Sequence, residues 1–311
     1  MNYKEKPFIS AIVYLYEDSH EVVSFLEKIN SFLSATFESY EIILVDDFSK
    51  DSTYAIAVEA AGSLIASTTV IRLSKKHGME LALLAGLDKS IGDYIFNFET
   101  TAIDYEIDLL NQMFQETKTG KDIIVACPIN KRISTSKIFY ELFNKVSSID
   151  QTISTERIML ISRRALNSLL DIDERVRYMK ALISISCFPK IIISYKPINN
   201  KYSDRRTISS KIEMALEILV SYSNIGLLLP LYISGFFLTT SILAVCYLVI
   251  SLFVNTNIAS GWASSIAIIS ISFFGVFLML GLISQYVSKI TKELIKIPLY
   301  TIEEQKSKFN Q

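Results

Sequence analysis

The sequence predicts an α/β domain built on a Rossmann-like, mostly parallel sheet, followed by a hairpin of two transmembrane helices. Over residues 1–200, apolar runs rich in β-branched residues alternate with amphipathic segments of about ten to fifteen residues, the pattern of βαβ units. Over residues 225–288, the charge-free segments Ile225–Val254 and Ala263–Tyr286 each exceed the roughly 20 apolar residues needed to cross a bilayer. A buried helix pair in a soluble protein is the alternative for this second region.

The elements of the first region follow a regular order up to Cys127. Strands are predicted at five apolar runs: Phe8–Tyr16, Glu41–Asp47, Thr68–Leu73, Gly92–Phe98 and Asp122–Cys127. Helices are predicted at the four segments between them: Ser19–Phe32, Ser52–Ala61, Met79–Lys89 and Asp104–Gln115. Beyond Cys127 the pattern predicts helices over 136–146, 163–170 and 174–185, with strands over Arg157–Ser162 and Lys190–Tyr195.

Charged residues predict how the second region is oriented. The segment Ile208–Tyr222, within residues 201–224, is amphipathic and suits a helix in the headgroup layer, with a plain connector helix as the alternative. Basic residues flank the hairpin on both sides: Lys201, Arg205, Arg206, Lys211, Lys289, Lys292 and Lys296. The positive-inside rule therefore predicts a protein of the inner (cytoplasmic) membrane, with the N-terminal domain and the tail, residues 289–311, in the cytoplasm. Within that tail, Lys296–Glu304 is a candidate edge strand.

The composition excludes several classes of protein. A net charge of −1 argues against nucleic-acid binding, which needs a basic surface. The three cysteines lie far apart in apolar runs, as expected of buried thiols in a reducing compartment. Two histidines are too few for a histidine-based metal centre. Neither a Gly-x-Gly-x-x-Gly motif nor a Walker loop occurs, which disfavours dinucleotide enzymes and P-loop ATPases.

The segment Glu41–Thr53 is the centre of the predicted site. Its apolar strand ends at Asp46 and Asp47, and a polar cluster follows that can turn the chain. Because open α/β sheets bind ligands outside the carboxyl ends of their strands, these carboxylates are candidates to accept hydrogen bonds from a sugar or a base. The alternative is that Asp46 or Asp47 caps the following helix.

Several segments resemble membrane-bound family-two glycosyltransferases of the polyprenyl-phosphate type, the group of dolichyl-phosphate mannose synthases and bactoprenol glucosyltransferases. The resemblance is carried by VDDFSKDST at Val45–Thr53, LSKKHGMELALLAGLDKS at Leu73–Ser90, TSKIFYELFNK at Thr135–Lys145, LISRRALNSL at Leu160–Leu169 and SQYVSKITKELIKIPLY at Ser284–Tyr300. It implies a GT-A fold and inverting transfer of a hexose from a nucleotide sugar, UDP-linked, to polyprenyl phosphate in the inner leaflet. It also makes a homo-oligomer plausible.

The resemblance assigns roles residue by residue. The positions that match the family's nucleotide-binding residues are Tyr16, Asp18, Asp46, Asp47 and Gly78. A basic motif before the membrane is matched by Arg205, Ser210 and Lys211, which with Arg132 would face the acceptor phosphate, and Arg205 and Lys211 would assist catalysis. For the cations of this motif, attraction to anionic headgroups is the alternative.

The chain departs from the family where catalysis is expected. The family's Asp-Ala-Asp-Leu-Gln-Asp reads Glu99-Thr100-Thr101-Ala102-Ile103-Asp104 here. Glu99 and Thr101 take the catalytic positions, and Glu99 is the remaining candidate ligand for Mg²⁺ or Mn²⁺, because a hydroxyl is a weak ligand and Ile103 is none. Asp104 is expected to cap the next helix.

These departures leave two hypotheses open. One is an active enzyme whose donor diphosphate is neutralised by a metal at Glu99 or by Lys and Arg cations. The other is an inactive relative that serves as a membrane binding or assembly subunit.

Overall fold

The computed structural model describes residues 4–129, 156–171, 188–198, 262–294 and 298–308, together with residues 179, 182, 183 and scattered positions between 232 and 250. Some predictions fall outside the described residues. These are the helices over 136–146 and 208–222, all of the helix over 174–185 except residues 179, 182 and 183, and the site residues Arg132, Arg205, Ser210 and Lys211.

The predicted alternation of strands and helices is present. The strands are β1 (Ile9–Leu15), β2 (Tyr40–Asp46), β3 (Ser67–Leu73), β4 (Tyr94–Phe98), β5 (Ile123–Pro128), β6 (Ile158–Ser162), β7 (Lys190–Tyr195) and β8 (Ile302–Lys308). The helices are α1 (Val22–Thr36), α2 (Thr53–Ser63), α3 (Met79–Lys89), α4 (Asp108–Thr117), α5 (Arg163–Leu170) and α6 (Trp262–Leu294).

All eight strands form one sheet, in the order β7-β5-β6-β4-β1-β2-β3-β8. β1 is parallel to both β2 and β4, β2 is parallel to β3, and β5 is parallel to β7. β6 runs antiparallel to its neighbours β4 and β5, and β8 runs antiparallel to β3. The prediction of a mostly parallel sheet is confirmed, and so is the edge strand in the tail, which lies a few residues later than predicted.

The two faces of the central strands are buried by different helices. On one face, Phe25 of α1 packs edge-to-face on Phe98 of β4, with ring centroids 5.4 Å apart, inside a core shared with α2 and α4. On the other face, α3 lies so close to the sheet that a Cβ at Gly86 would come within 2.4 Å of Ile12. The sheet is therefore closed on both sides, and its carboxyl edge is the place where polar side chains collect.

The described residues fall into two compact units, and the second contains the helical residues between 232 and 250 together with α6. Within this unit the ring of Phe237 lies directly over Gly275, where a Cβ would be 2.2 Å from it. Among the side chains of α6 that the structure describes, twelve large apolar ones are exposed, including Phe273, Phe274 and Phe277. Among the described residues, no helix is both long and apolar enough to cross a membrane. The transmembrane hairpin stays a prediction.

Candidate functional site

The carboxyl ends of β1, β2 and β3 bring the predicted nucleotide-binding residues together. These three strands are adjacent and parallel, so the residues that follow them emerge at the same edge of the sheet. Tyr16 and Asp18 follow β1, Asp46 and Asp47 end β2, and Gly78 precedes α3 after β3. The grouping expected from the sequence is present in the fold.

Asp46 and Asp47 do not cap α2, which resolves the alternative left open by the sequence. The residue that precedes α2 is Ser52, and Asp51 accepts the Thr53 N–H at 3.0 Å. Asp46 instead accepts the Ser49 N–H at 3.3 Å and lies 3.7 Å from the Arg72 guanidinium.

Asp47 holds the loop that leads into α3. Its carboxylate accepts the N–H groups of His77 and Gly78 at 2.7 and 3.0 Å and the Tyr14 hydroxyl at 3.2 Å. Gly78 has φ of 93°, a conformation that favours glycine, so the loop needs this residue for its turn. Asp47 thereby holds the loop between β3 and α3 in place at the edge of the candidate site.

Burial dominates the electrostatics of both acids. Neither Asp46 nor Asp47 has exposed surface, and desolvation raises the pKa of each above its ordinary value. Hydrogen bonds from Ser49, with the Arg72 charge, oppose the rise at Asp46, and those from His77 and Gly78 oppose it at Asp47. A ligand reaches Asp46 only when the groups that cover it shift.

The loops after β1 and β2 are joined to each other. Glu17 and Phe48 have φ of 55° and 60°, which is unusual for residues with side chains. The Glu17 N–H donates to the Ser49 hydroxyl at 3.0 Å, and the Asp18 N–H donates to the Thr53 hydroxyl at 2.8 Å. Such strained, cross-linked loops are typical of binding sites that are held in a fixed shape.

Tyr16 and Lys76 make a cation–π contact at this edge. The Lys76 ammonium lies 3.6 Å from the centroid of the Tyr16 ring. The aromatic surface that the resemblance assigns to the base is therefore accompanied by a positive charge from an exposed side chain.

The loop after β4 places its predicted catalytic residues differently. Glu99 is half-buried and lines a cavity of about 20 Å³ that also involves Glu80, Asn97, Glu156 and Arg157. A cavity of this volume admits a single water molecule and is too small for a sugar. Thr101 is buried, and its hydroxyl lies 3.5 Å from the Glu21 carboxylate.

The prediction that Asp104 caps the following helix is wrong. α4 begins at Asp108, and Asp104 instead forms a buried ion pair with Arg157 and accepts the Tyr195 hydroxyl at 3.0 Å. A buried carboxylate is stable only when it is neutralised, and Arg157 supplies the charge. The pairing was hidden because these residues are far apart in the sequence.

A family model for glycosyl transferase family 2 matches residues 10–168. The chain belongs to this family. Two relatives match almost end to end. The putative glycosyltransferase CsbB of Bacillus subtilis is 26% identical over 304 residues, covering 95% of this chain and 91% of its own. The bactoprenol glucosyl transferase of Shigella phage SfV is 26% identical over 313 residues, which cover 96% of this chain and 99% of the phage protein.

The protein is thus a family-2 glycosyltransferase with a GT-A-like fold, and its candidate metal site differs from what Mg²⁺ or Mn²⁺ requires. In the part of the chain that the structure describes, no group of three or more His, Cys, Asp or Glu side chains is arranged to hold a metal ion. Thr101 is turned toward Glu21, and Ile103 packs against the core. The described residues around Glu99 therefore do not by themselves fit a divalent cation.

Sequence reasoning missed Arg72, a residue of β3 that lies 3.7 Å from Asp46 at this edge of the sheet. Its guanidinium carbon is 5.6 Å from the centroid of Phe48 and 5.1 Å from that of Tyr54. A charged residue within an otherwise apolar strand was the available signal, because such a residue needs a partner.

Proposed function

We propose that this glycosyltransferase transfers a hexose, with inversion, from a UDP-sugar to polyprenyl phosphate at the cytoplasmic face of the inner membrane. The observation that carries the proposal is the meeting of Tyr16, Asp18 and Asp46 at one edge of the sheet. The near full-length similarity to a protein named bactoprenol glucosyl transferase supports the lipid acceptor.

The transfer reaction depends more on how the donor and the acceptor are positioned than on a strong general base. An oxygen of the acceptor phosphate attacks the anomeric carbon, while the bond to the UDP oxygen breaks and UDP leaves with its electrons. Because that phosphate is already anionic, no proton has to be removed. The rate depends on aligning the two phosphates and on neutralising the leaving diphosphate.

The described residues that bear on this task are cationic. Lys75 and Lys76 follow β3 at the edge where the acids meet, and both are exposed. We infer that they share the neutralisation of the diphosphate with Arg205 and Lys211, and that Arg132 and Ser210 face the acceptor.

The membrane is the second partner in the proposal, because the lipid acceptor lies in it. The charge-free segments Ile225–Val254 and Ala263–Tyr286 support this location. The exposed apolar side chains of α6 support it as well, since such a surface is unfavourable in water. A homo-oligomer remains a prediction.

Nucleotide binding by the full-length protein in detergent tests the donor. Titration calorimetry with UDP and GDP, each with Mn²⁺ or with EDTA, is expected to show UDP binding that Asp46→Ala abolishes. Asp51→Ala is the matched control, since Asp51 is an exposed acid in the same loop and is expected to leave binding unchanged. Failure of every nucleotide to bind would refute the proposal.

Transfer from radiolabelled UDP-hexose to polyprenyl phosphate tests the acceptor, and NMR of the product reports its anomeric configuration. Lipid-linked product with the configuration opposite to the donor's is expected. UDP binding without transfer to any polyprenyl phosphate would instead favour an inactive membrane subunit.

A further inference from the structure

The strand β8 reaches the nucleotide side of the sheet from the far end of the chain. It pairs with the outer edge of β3 and is fastened at both ends. The Ser74 N–H donates to the Thr301 carbonyl at 2.9 Å, and the Lys308 ammonium donates to the carbonyls of Gly62 and Leu64 at 2.7 and 2.9 Å. β8 is therefore an integral edge of the sheet next to β3.

A bulge in β8 directs one acid toward Arg72. Arg72 pairs with Glu304 and Leu73 with Ile302, which leaves Glu303 as the extra residue between two ladder positions. Bulges turn a side chain out of the regular alternation, and they are frequent beside active sites. The Glu303 carboxylate lies 3.3 Å from the Arg72 Nε.

Arg72 is thus placed between two carboxylates of different character. Its Nε is 3.7 Å from Asp46, which is fully buried, and 3.3 Å from Glu303, whose side chain is 51% exposed. Its Nη2 also donates to the Ser49 carbonyl at 3.4 Å. One guanidinium is therefore shared between the candidate nucleotide-binding acid and the C-terminal strand.

The surrounding contacts keep Arg72 at this position. The guanidinium lies over the rings of Phe48 and Tyr54, and Lys306 of β8 lies 5.7 Å from the Tyr54 centroid. Burial, together with the nearby negative charge of Glu304, raises the pKa of Tyr54 to about 12, so the Tyr54 hydroxyl stays protonated. Three charged side chains of β8 therefore lie close to Arg72 or Tyr54, namely Glu303, Glu304 and Lys306.

We propose that Glu303 is the exchange partner of Arg72: when a nucleotide bonds to Asp46, the guanidinium, which already lies nearer to Glu303 than to Asp46, gives up its contact with Asp46 and is held by Glu303. The inference rests on the proposed function, because it assumes that Asp46 binds the donor. The physical reason is that Asp46 is covered, and uncovering it without a second anion would leave the Arg72 charge without its partner. Glu303 and Arg72 are positioning residues in this scheme.

Calorimetry of UDP binding to full-length Glu303→Gln tests the exchange. We expect a two- to fivefold weaker affinity, about the strength of a partly exposed ion pair. In an Arg72→Gln background, adding Glu303→Gln is expected to have no further effect, because there is no guanidinium left to exchange.

Lys308→Gln is the matched control, since it weakens the attachment of β8 without touching Arg72. UDP affinity equal to wild type in Glu303→Gln would overturn the inference. Equal losses in Glu303→Gln and Lys308→Gln would overturn it too, because they would mean that β8 acts only as structural support. If the wild-type protein binds no UDP, the proposed function fails first, which keeps the two failures distinguishable.

Discussion

Asp46 shows how a single residue can combine a stability penalty with the binding role proposed for it. The fold withdraws its carboxylate from water and compensates the loss only in part, through Ser49 and Arg72. An ionisable group that is buried at a cost to the stability of the free protein is typical of binding sites. The raised pKa of Asp46 also makes the stability of the protein depend on pH.

We predict that Asp46→Asn stabilises the free protein near neutral pH. Burial raises the pKa of Asp46 in the folded state, so its contribution to stability is complete below the pKa of the unfolded chain and is lost as the pH rises through the folded-state pKa. Asparagine does not ionise, so the Asp46→Asn protein does not lose this stability as the pH rises. Urea unfolding of both proteins between about pH 3 and pH 8, the range in which carboxylates titrate, measures how the free energy of unfolding changes with pH.

Asp122→Asn is the control of opposite sign. Although burial opposes it, hydrogen bonds from Arg164 and Ser162 lower the pKa of Asp122, so its stabilising effect is present above the unfolded pKa and is lost on acidification. Asp122→Asn should therefore destabilise the protein at neutral pH. A destabilised Asp46→Asn protein would contradict our account of the first site.

Thr101 offers a second test at the scale of single residues, because restoring the family's acid there should fail. We predict that Thr101→Asp lowers the free energy of unfolding by about 2 kcal/mol or more, since it places a second carboxylate in a buried position beside Glu21. It should also confer no Mn²⁺ binding, measured by calorimetry.

Two comparisons isolate the charge effect. The side chain introduced by Thr101→Asn has nearly the same shape as aspartate but no charge. Thr101→Asn should therefore lower the free energy of unfolding by less than Thr101→Asp does. Adding Glu21→Gln to Thr101→Asp should recover part of the lost stability, because it removes the repulsion. Tight Mn²⁺ binding by Thr101→Asp would show that the loop rearranges around a metal.

At the scale of elements, close approach of backbone segments positions the strands that carry the site. Gly92 precedes β4, and a Cβ there would lie 2.5 Å from the Ser10 backbone nitrogen of β1. Backbone atoms yield less readily than side-chain ends, so only glycine fits this crossing. The alignment of β1 with β4 therefore depends on one missing Cβ.

We predict that Gly92→Ala destabilises the protein by about 2–3 kcal/mol, the size of a strong overpacking effect. Gly62→Ala, in α2, is the matched control, since its Cβ would have no atom within 4 Å, and it should stabilise the helix by roughly 0.5–1 kcal/mol. Equal effects of the two substitutions in chemical denaturation would refute the packing argument.

At the scale of the whole molecule, the chain leaves the α/β unit, forms α6 in a second unit, and returns to add β8 to the first sheet. This arrangement explains how Glu303 meets Arg72 across 231 positions of sequence (303 minus 72).

We predict that the full-length protein sediments with membranes and resists extraction at alkaline pH, because the exposed side chains of α6 favour an apolar surrounding. Replacing Phe273, Phe274 and Phe277 by serine should increase the fraction released. Circular dichroism and UDP binding of that variant control for unfolding. Wild-type protein found in the supernatant without detergent would contradict the membrane proposal.

Local pattern was sufficient for most of the architecture. The strands β1 to β7 lie within about two residues of their predicted ends, because a buried strand needs an apolar run and a turn at each boundary. Helix ends were less well predicted: α1 ends at Thr36 and α4 begins at Asp108. Propensity changes little from residue to residue there, so packing decides the boundary.

The alternating α/β order, the grouping of Tyr16, Asp18 and Asp46 at one edge, and the loss of the family's acidic motif at Thr101 could all be predicted from the sequence. These properties depend on local periodicity and on residue identity. Which charge each buried acid meets became known only from the fold: Arg157 for Asp104 and Arg72 for Asp46. A buried charge pairs with an opposite charge that is close in space, and the folded sheet brings together residues that are far apart in the sequence.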